Sequence, residues 1–391
     1  APDKTILRVK VTEQPTGQLS FSVGYSSLEK LVGDVGISES NFRGRGQRVD
    51  FEVSMGYLQK RVSLSFTEPR FMGRNMAAGF DIYTYNYNYA TTAAFTSSST
   101  GVTFRTAFPV NLYTSLQLRY SIHTDSVSLP TYVLDPATGT CSSGYSQTLC
   151  DEVGRTFTSS VGYTIRIDRR NDPIIPTRGF YTDFNQDFAG IGGVRYIKTL
   201  ADAAWFYGFT PSIILSVKGV AGYITGWGGD AVRINDRFFQ GGDSFRGFQI
   251  AGIGPRDTTL QSQGCASGTS TSVPTNPNGT CFGDALGAKA YAIGTVELQF
   301  PNLIPAQYGI KTALFTDFGT AGVLDAPSKR NPNGTINPFI MDNMAFRASV
   351  GISVFWKSPM GPLKFDFSKV LKKAPYDVPE TFYFSTATSF Q

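Results

Sequence analysis

The sequence predicts an all-β fold, an antiparallel transmembrane β-barrel of about sixteen strands, and three observations predict it. Apolar and polar residues alternate with period two from about residue 17 to the C-terminus. That is the pattern of a sheet with two unlike faces. The alternating segments run about 9–12 residues, longer than an ordinary strand and long enough for a tilted membrane crossing. The connections switch between short and long, as in barrels with short periplasmic turns and longer outer loops. Only 17% of residues are charged, below the ~25% of a typical soluble domain. No apolar run approaches the ~18 residues of a transmembrane helix, and no sustained helical period is present.

Along the chain, Thr5-Ile6-Leu7-Arg8-Val9-Lys10-Val11 alternates before Glu13-Gln14-Pro15-Thr16-Gly17 breaks the pattern. Residues 1–14 are therefore read as the last strand of a preceding soluble domain, cut off at this end. Ala1-Pro2-Asp3-Lys4 is no charged leader with an apolar core, so the chain reads as mature or as a fragment. In 17–25, Leu19, Phe21, Val23 and Tyr25 oppose Gln18, Ser20, Ser22 and Gly24. Tyr83, Tyr85, Tyr87 and Tyr89 are expected in an interfacial aromatic girdle. Val296, Leu298 and Phe300 oppose Thr295, Glu297 and Gln299.

In 311–319 the apolar face carries Thr312, Leu314, Thr316 and Phe318, which turns Asp317 and Lys311 inward. In 346–356, Phe346, Ala348, Val350, Ile352, Val354 and Trp356 share one face, and Phe355 interrupts the polar one. Leu363, Phe365 and Phe367 oppose Lys364, Asp366 and Ser368. Short turns are expected at 41–46, 108–111, 207–211 and 358–362, and long connections at about 125–153, 227–285 and 320–342. Residues 15–391, shared among sixteen strands, leave about 24 residues for each strand and its connection.

The chemistry the chain excludes is equally legible. The net charge is +5 with no block of one sign, which gives no electrostatic footprint for nucleic acid. Four cysteines allow three connectivities; Cys141–Cys150 with Cys265–Cys281 is the simplest, and disulfides suit an oxidising compartment. The spacings do not match a zinc site, and the one histidine, His123, cannot complete one; it is read as a strand-end or loop residue. No Gly-x-Ser-x-Gly, His-Glu-x-x-His or Gly-x-x-x-x-Gly-Lys pattern occurs, so neither enzyme chemistry nor a cofactor is expected.

Several segments resemble one family. Thr16-Gly17-Gln18-Leu19-Ser20-Phe21-Ser22-Val23-Gly24-Tyr25-Ser26 is similar to the opening barrel strand of the BamA family of outer-membrane protein assembly factors. Arg237-Phe238-Phe239-Gln240-Gly241-Gly242-Asp243-Ser244-Phe245-Arg246-Gly247-Phe248, with Ile253-Gly254-Pro255-Arg256 beyond it, resembles that family's signature loop. Thr316-Asp317-Phe318-Gly319-Thr320 resembles its Asp-x-Gly strand, and 382–390 its C-terminal strand signal. The chain departs from the pattern at Phe245, where Val is usual, and in its last strand, which ends on Gln391 after the aromatic Phe390 and has Thr386 where an apolar residue is common.

The resemblance implies a sixteen-stranded barrel over 15–391, preceded by periplasmic POTRA domains of which 1–14 would be the tail. The loop at about 227–285 would fold back into the lumen. Its Phe245, Arg246, Gly247 and Phe248 would meet the inner-wall acids Asp317 and Glu297. A lateral gate would lie between a first strand bearing Gln18, Ser20, Ser22 and Gly24 and a last strand bearing Phe382, Phe384, Thr386, Thr388 and Phe390. The implied activity is insertion of unfolded outer-membrane proteins into the outer-membrane bilayer, with assembly lipoproteins reached through the POTRA domains. A TamA-like or two-partner-secretion translocation barrel, or a passive channel, are the alternatives.

Overall fold

A computed structural model describes residues 15–26, 29–89, 93, 95–130, 133–134, 141, 146–259, 283–300, 309–331, 334–358 and 361–386. Residues 1–14, the Cys265–Cys281 pair, Thr388 and Phe390 lie outside the described residues. The first eleven strands follow one another without interruption: β1 (Gly17–Ser26), β2 (Lys30–Phe42), β3 (Gln47–Met55), β4 (Gln59–Glu68), β5 (Ala77–Asn88), β6 (Thr96–Pro109), β7 (Thr114–Ser128), β8 (Gly154–Asp168), β9 (Arg178–Gly192), β10 (Tyr196–Gly208) and β11 (Ile214–Gly226). The short β12 (Arg256–Asp257) and β13 (Asp284–Ala285) come next, then β14 (Ala290–Phe300) and β15 (Ile310–Gly322). After the short β16 (Ile340–Met341) come β17 (Arg347–Ser358), β18 (Gly361–Lys372) and β19 (Phe382–Thr386).

Sixteen of these form one antiparallel meander in chain order, while β12, β13 and β16 form a small separate sheet. Among the described residues no helix is long and apolar enough to cross a membrane. The long strands cross instead, and the pleat sorts their side chains. Leu64 and Ile82 are paired in register across β4 and β5, and Phe104 of β6 lies on the same outward face. Leu314 and Ile352 are likewise paired across β15 and β17, and all five are open to the outside. Residues one position away face the lumen, where Arg105 pairs with Asp81 and Arg119 with Asp187. A slip of one residue would put these ion pairs into lipid, so the register is strongly specified. The expected short turns 41–46, 108–111, 207–211 and 358–362 fall at one end of the barrel. The connections 129–153, 227–289 and 323–346 all fall at the other, matching the expected alternation.

Two readings are corrected. Tyr83, Tyr85 and Tyr87 lie on the same face of β5 as Asp81, which pairs inward with Arg105, so they line the lumen. Tyr89 stacks on Phe239 of the long loop, with ring centroids 4.8 Å apart. Every second residue of a strand points inward, and aromatic residues at those positions serve the plug and not the membrane interface. His123 is neither in a loop nor at a strand end. It lies within β7, opposite Gly101 and Thr158, with Nε2 3.3 Å from Asp125.

The apolar core is not the barrel wall alone but the contact between the wall and the loops that fill its wide end. Phe245, Phe248, Ile253 and Ala288 pack on Ile293 and Ala321 of the wall. A second cluster joins Phe95, Val127, Leu149, Ile234 and Leu286. Helix α1 (Gln147–Asp151) belongs to this cap, and the disulfide Cys141–Cys150 closes the stretch that leads through it. A sixteen-stranded barrel is too wide to fill its interior with wall side chains, so inserted loop residues supply the packing.

Candidate functional site

The loop between β11 and β14 brings Arg246 to the inner wall. Two glycines shape the approach. At Gly241, φ is +128°, and a side chain would collide with the Gln249 carbonyl. At Gly247, φ is +96°, and a Cβ would stand 3.0 Å from that of Ser349. Both positions need a backbone conformation that other residues rarely adopt, and both bring backbone against backbone or wall.

The Arg246 guanidinium meets Asp317 in a fork, Nε to Oδ2 and Nη2 to Oδ1, both 2.8 Å. The Arg246 backbone N–H donates to the same carboxylate at 3.1 Å. Nη1 donates to Glu297 at 2.8 Å and to Ser353 Oγ at 3.2 Å. The Ser349 hydroxyl donates to the Arg246 carbonyl at 2.6 Å. The Phe315 ring lies beneath the guanidinium carbon, 3.5 Å from centroid to carbon. Register explains how one cation reaches both acids. Glu297 sits opposite Phe315, which is two residues from Asp317 on the same inward face of β15. The Arg246 and Asp317 side chains are 6% and 2% exposed, whereas Glu297 is 24% exposed. Geometry of this quality is what a buried ion pair needs to offset its desolvation.

The loop's other side pairs with the segment that enters the last strand. Gln249 N–H donates to the Val378 carbonyl at 3.0 Å, Val378 N–H to Gly252 at 2.9 Å, and Glu380 N–H to Gly247 at 2.9 Å. Phe248 and Pro379 form an antiparallel bridge. The Tyr383 hydroxyl donates to Asp243 at 3.1 Å. The segment is itself fixed to β17: Arg347 grips Asp377 with Nε and Nη2, both 2.9 Å, and both side chains are fully buried. A cavity of about 1010 Å³ lies between the loop and the short-turn end, lined by Arg166, Asp183, Lys218, Asp243, Lys364 and Ser385 among others.

Gln18, Ser20, Ser22 and Gly24 lie on β1 opposite Ser38, Gly36, Asp34 and Val32 of β2. Ser22 Oγ donates to Asp34 at 2.9 Å, and Ser20 Oγ to the Gly36 carbonyl at 3.3 Å. Phe382, Phe384 and Thr386 lie on β19, whose ladder to β18 spans Leu363–Phe367. Among the described residues no ladder joins β1 to β19, so the sheet is a nearly closed barrel. Across this seam the Tyr25 and Phe384 rings stack at 6.4 Å.

The cap over the wide end holds ionisable groups of its own. Burial pushes the Asp284 carboxyl up to about 7, although it accepts the Ser146 N–H and faces Arg256. Burial pushes Asp236 up to about 6, against the pull of Lys198. No group of three or more His, Cys, Asp or Glu among the described residues is arranged to hold a metal ion.

With this geometry in view, the comparisons are direct. Residues 41–390 match the model of the Omp85 superfamily domain. The chain belongs to the Omp85 superfamily. It is 28% identical, over 98% of its length, to the outer membrane protein assembly factor BamA of Neorickettsia risticii, covering 46% of that protein. It is 24% identical, over its full length, to BamA of Neisseria meningitidis serogroup B, covering 49%. The chain thus spans about half the length of these curated relatives. The human sorting and assembly machinery component 50 homolog is 27% identical over 81% of the chain and 60% of that protein. The fold matches the crystal structure of Haemophilus ducreyi BamA lacking POTRA domains 1–3, with a TM-score of 0.77 at 23% identity, over 95% of this chain and 70% of that one. The chain is thus an Omp85 barrel similar in sequence to bacterial BamA proteins and in fold to a BamA barrel.

Sequence reasoning had not singled out Phe315, Ser349, Ser353, Arg347, Asp377, Asp243 or Tyr383 as site residues. The alternation carried a signal for Phe315, which shares the inward face of Asp317. Ser349 and Ser353 stand on the polar face of 346–356. Nothing local marks Arg347–Asp377 or Asp243–Tyr383, because each joins segments distant in the chain.

Proposed function

We propose that this chain is the membrane-embedded part of an outer-membrane protein assembly factor. In this reading it folds and inserts nascent β-barrel proteins and catalyses no covalent reaction. The observation that carries the proposal is the seam: a sixteen-stranded sheet with no ladder between its first and last strands among the described residues, in an Omp85 barrel whose lumen is occupied by its own loop. An edge strand presents unpaired N–H and C=O groups and can template an incoming strand. The polar edge of β1, with Gln18, Ser20, Ser22 and Gly24, supplies that template, and β19 is the movable side of the lateral gate.

No energy source is needed beyond the product. In lipid, every backbone polar group must be satisfied within the protein, and a completed barrel does this where an unfolded chain cannot. Residues 1–14 are the tail of a periplasmic POTRA domain, and accessory lipoproteins dock on that side. Residues 15–391 are the barrel.

The test uses the full-length protein in liposomes with its lipoprotein partners. An unfolded model barrel is added, and its heat-modifiable gel shift is followed against empty liposomes. The control is a seam lock, a disulfide between Tyr25→Cys and Phe384→Cys. Faster folding that the lock abolishes supports insertion through the seam. Faster folding that survives the lock keeps the assembly role and removes the gate. No acceleration, with a large steady ion conductance, makes the barrel a channel.

A further inference from the structure

The signature loop has two attachments, and they lie on opposite sides of it. One is the wall, through Arg246 and Asp317. The other is the entry to the last strand, through the Val378 and Glu380 backbone bonds and the Tyr383–Asp243 hydrogen bond. Tyr383 is the second residue of β19 and is buried, facing the lumen, whereas its neighbour Phe384 meets Tyr25 across the seam. The described part of β19 is only five residues long and has a ladder on one side alone. Contacts with the loop therefore add to what restrains this strand beside its ladder to β18.

We propose that Asp243 and Tyr383 are positioning residues, forming a tether through which the docked loop holds the seam edge of the last strand. The importance of that edge rests on the insertion reading above. Arg246 and Asp243 are three residues apart, and Phe245 between them packs edge-to-face on Phe248 at 5.2 Å, which couples the two positions. Undocking Arg246 from the wall therefore moves Asp243 and releases Tyr383. The tether also fits the direction of the bond. An acidic acceptor strengthens a phenol donor's hydrogen bond, and the buried hydroxyl has this carboxylate as its partner.

Hydrogen exchange on the full-length protein in liposomes tests this, with 114–128 of β7 as the control that the barrel is intact. Tyr383→Phe and Asp243→Ala each speed exchange at 382–386 by about 10- to 100-fold, and the double variant goes no further. Asp243→Asn, which keeps an acceptor oxygen, restores most of the protection. Arg246→Ala speeds exchange at 382–386 as well as in the loop, and adding Tyr383→Phe to it changes little.

A loop loosened by Arg246→Ala with 382–386 still protected overturns the tether. So do additive effects of the two tether variants, or no rescue by Asp243→Asn. The same variants in the liposome folding assay separate the two readings. Exchange as expected, with folding indifferent to the seam lock, keeps the tether and discards the seam as the exit.

Discussion

Replacing Asp317 by alanine strikes the anchor at its most buried point. The carboxylate accepts three hydrogen bonds from Arg246, two from the guanidinium and one from the backbone. Its removal leaves the guanidinium with Glu297 and Ser353 in a site that is almost closed to water. Breaking a buried ion pair by deleting one partner costs about 3–5 kcal/mol. Glu297→Gln is the contrasting change. It keeps an acceptor oxygen, and the glutamate it replaces is a quarter exposed, so solvent screening holds the loss to about 1 kcal/mol. At 1.4 kcal/mol per decade, Asp317→Ala should speed exchange of loop amides 243–252 by about 100- to 3000-fold, and Glu297→Gln by about fivefold. The assay is exchange mass spectrometry on the intact protein in lipid, with β7 as the internal standard. Equal effects of the two variants, or an Asp317→Ala effect below about tenfold, would refute the claim that burial and the bidentate geometry make Asp317 the dominant partner.

Four further outcomes follow from the same structure. Arg347→Ala leaves the fully buried Asp377 unpaired and should cost about 3–5 kcal/mol, read as lost protection of 374–380. Gly247→Ala combines a φ of +96° with a 3.0 Å approach to Ser349; it should lower the gel-shift melting temperature by an amount matching about 1–3 kcal/mol. The carboxyls of Asp284 and Asp236 are raised to about 7 and about 6, above their unfolded values near 4. Their contribution is thus fully present below about pH 4 and lost as pH rises through 6–7. Cap segments 146–150 and 283–286, corrected for intrinsic exchange rate, should be less protected at pH 8 than at pH 5, and a flat profile would count against it. Reducing Cys141–Cys150 should loosen α1 by no more than about 3 kcal/mol, since the closed loop is short, and should leave strand exchange unchanged.

The barrel was legible because a membrane-spanning strand leaves a period-two trace wherever one face meets lipid. Asp317 and Glu297 could be assigned inward from Phe318 and Val296 alone, and the structure brings both to Arg246. The same rule misled at Tyr83–Tyr87. Tyrosine suits a membrane interface and a polar lumen equally, and only the pairing of Asp81 with Arg105 fixes the face. The cap and the clamp on the last strand were not legible. Asp243 and Tyr383 are 140 residues apart, and no local propensity or spacing reports a contact between a loop and a strand end.

Among the described residues β1 and β19 share no ladder, which has a consequence for how the molecule ages in its membrane. Water cannot reach an edge held at bilayer depth, so an unpaired edge there cannot be satisfied by solvent. In the proposed insertion reading, an edge of that kind would accept a backbone of matching length, whether a foreign strand or the strand across the seam. Under that reading closure of the seam would be one rearrangement away, and the loop packed into the lumen would let the barrel wait without becoming a hole.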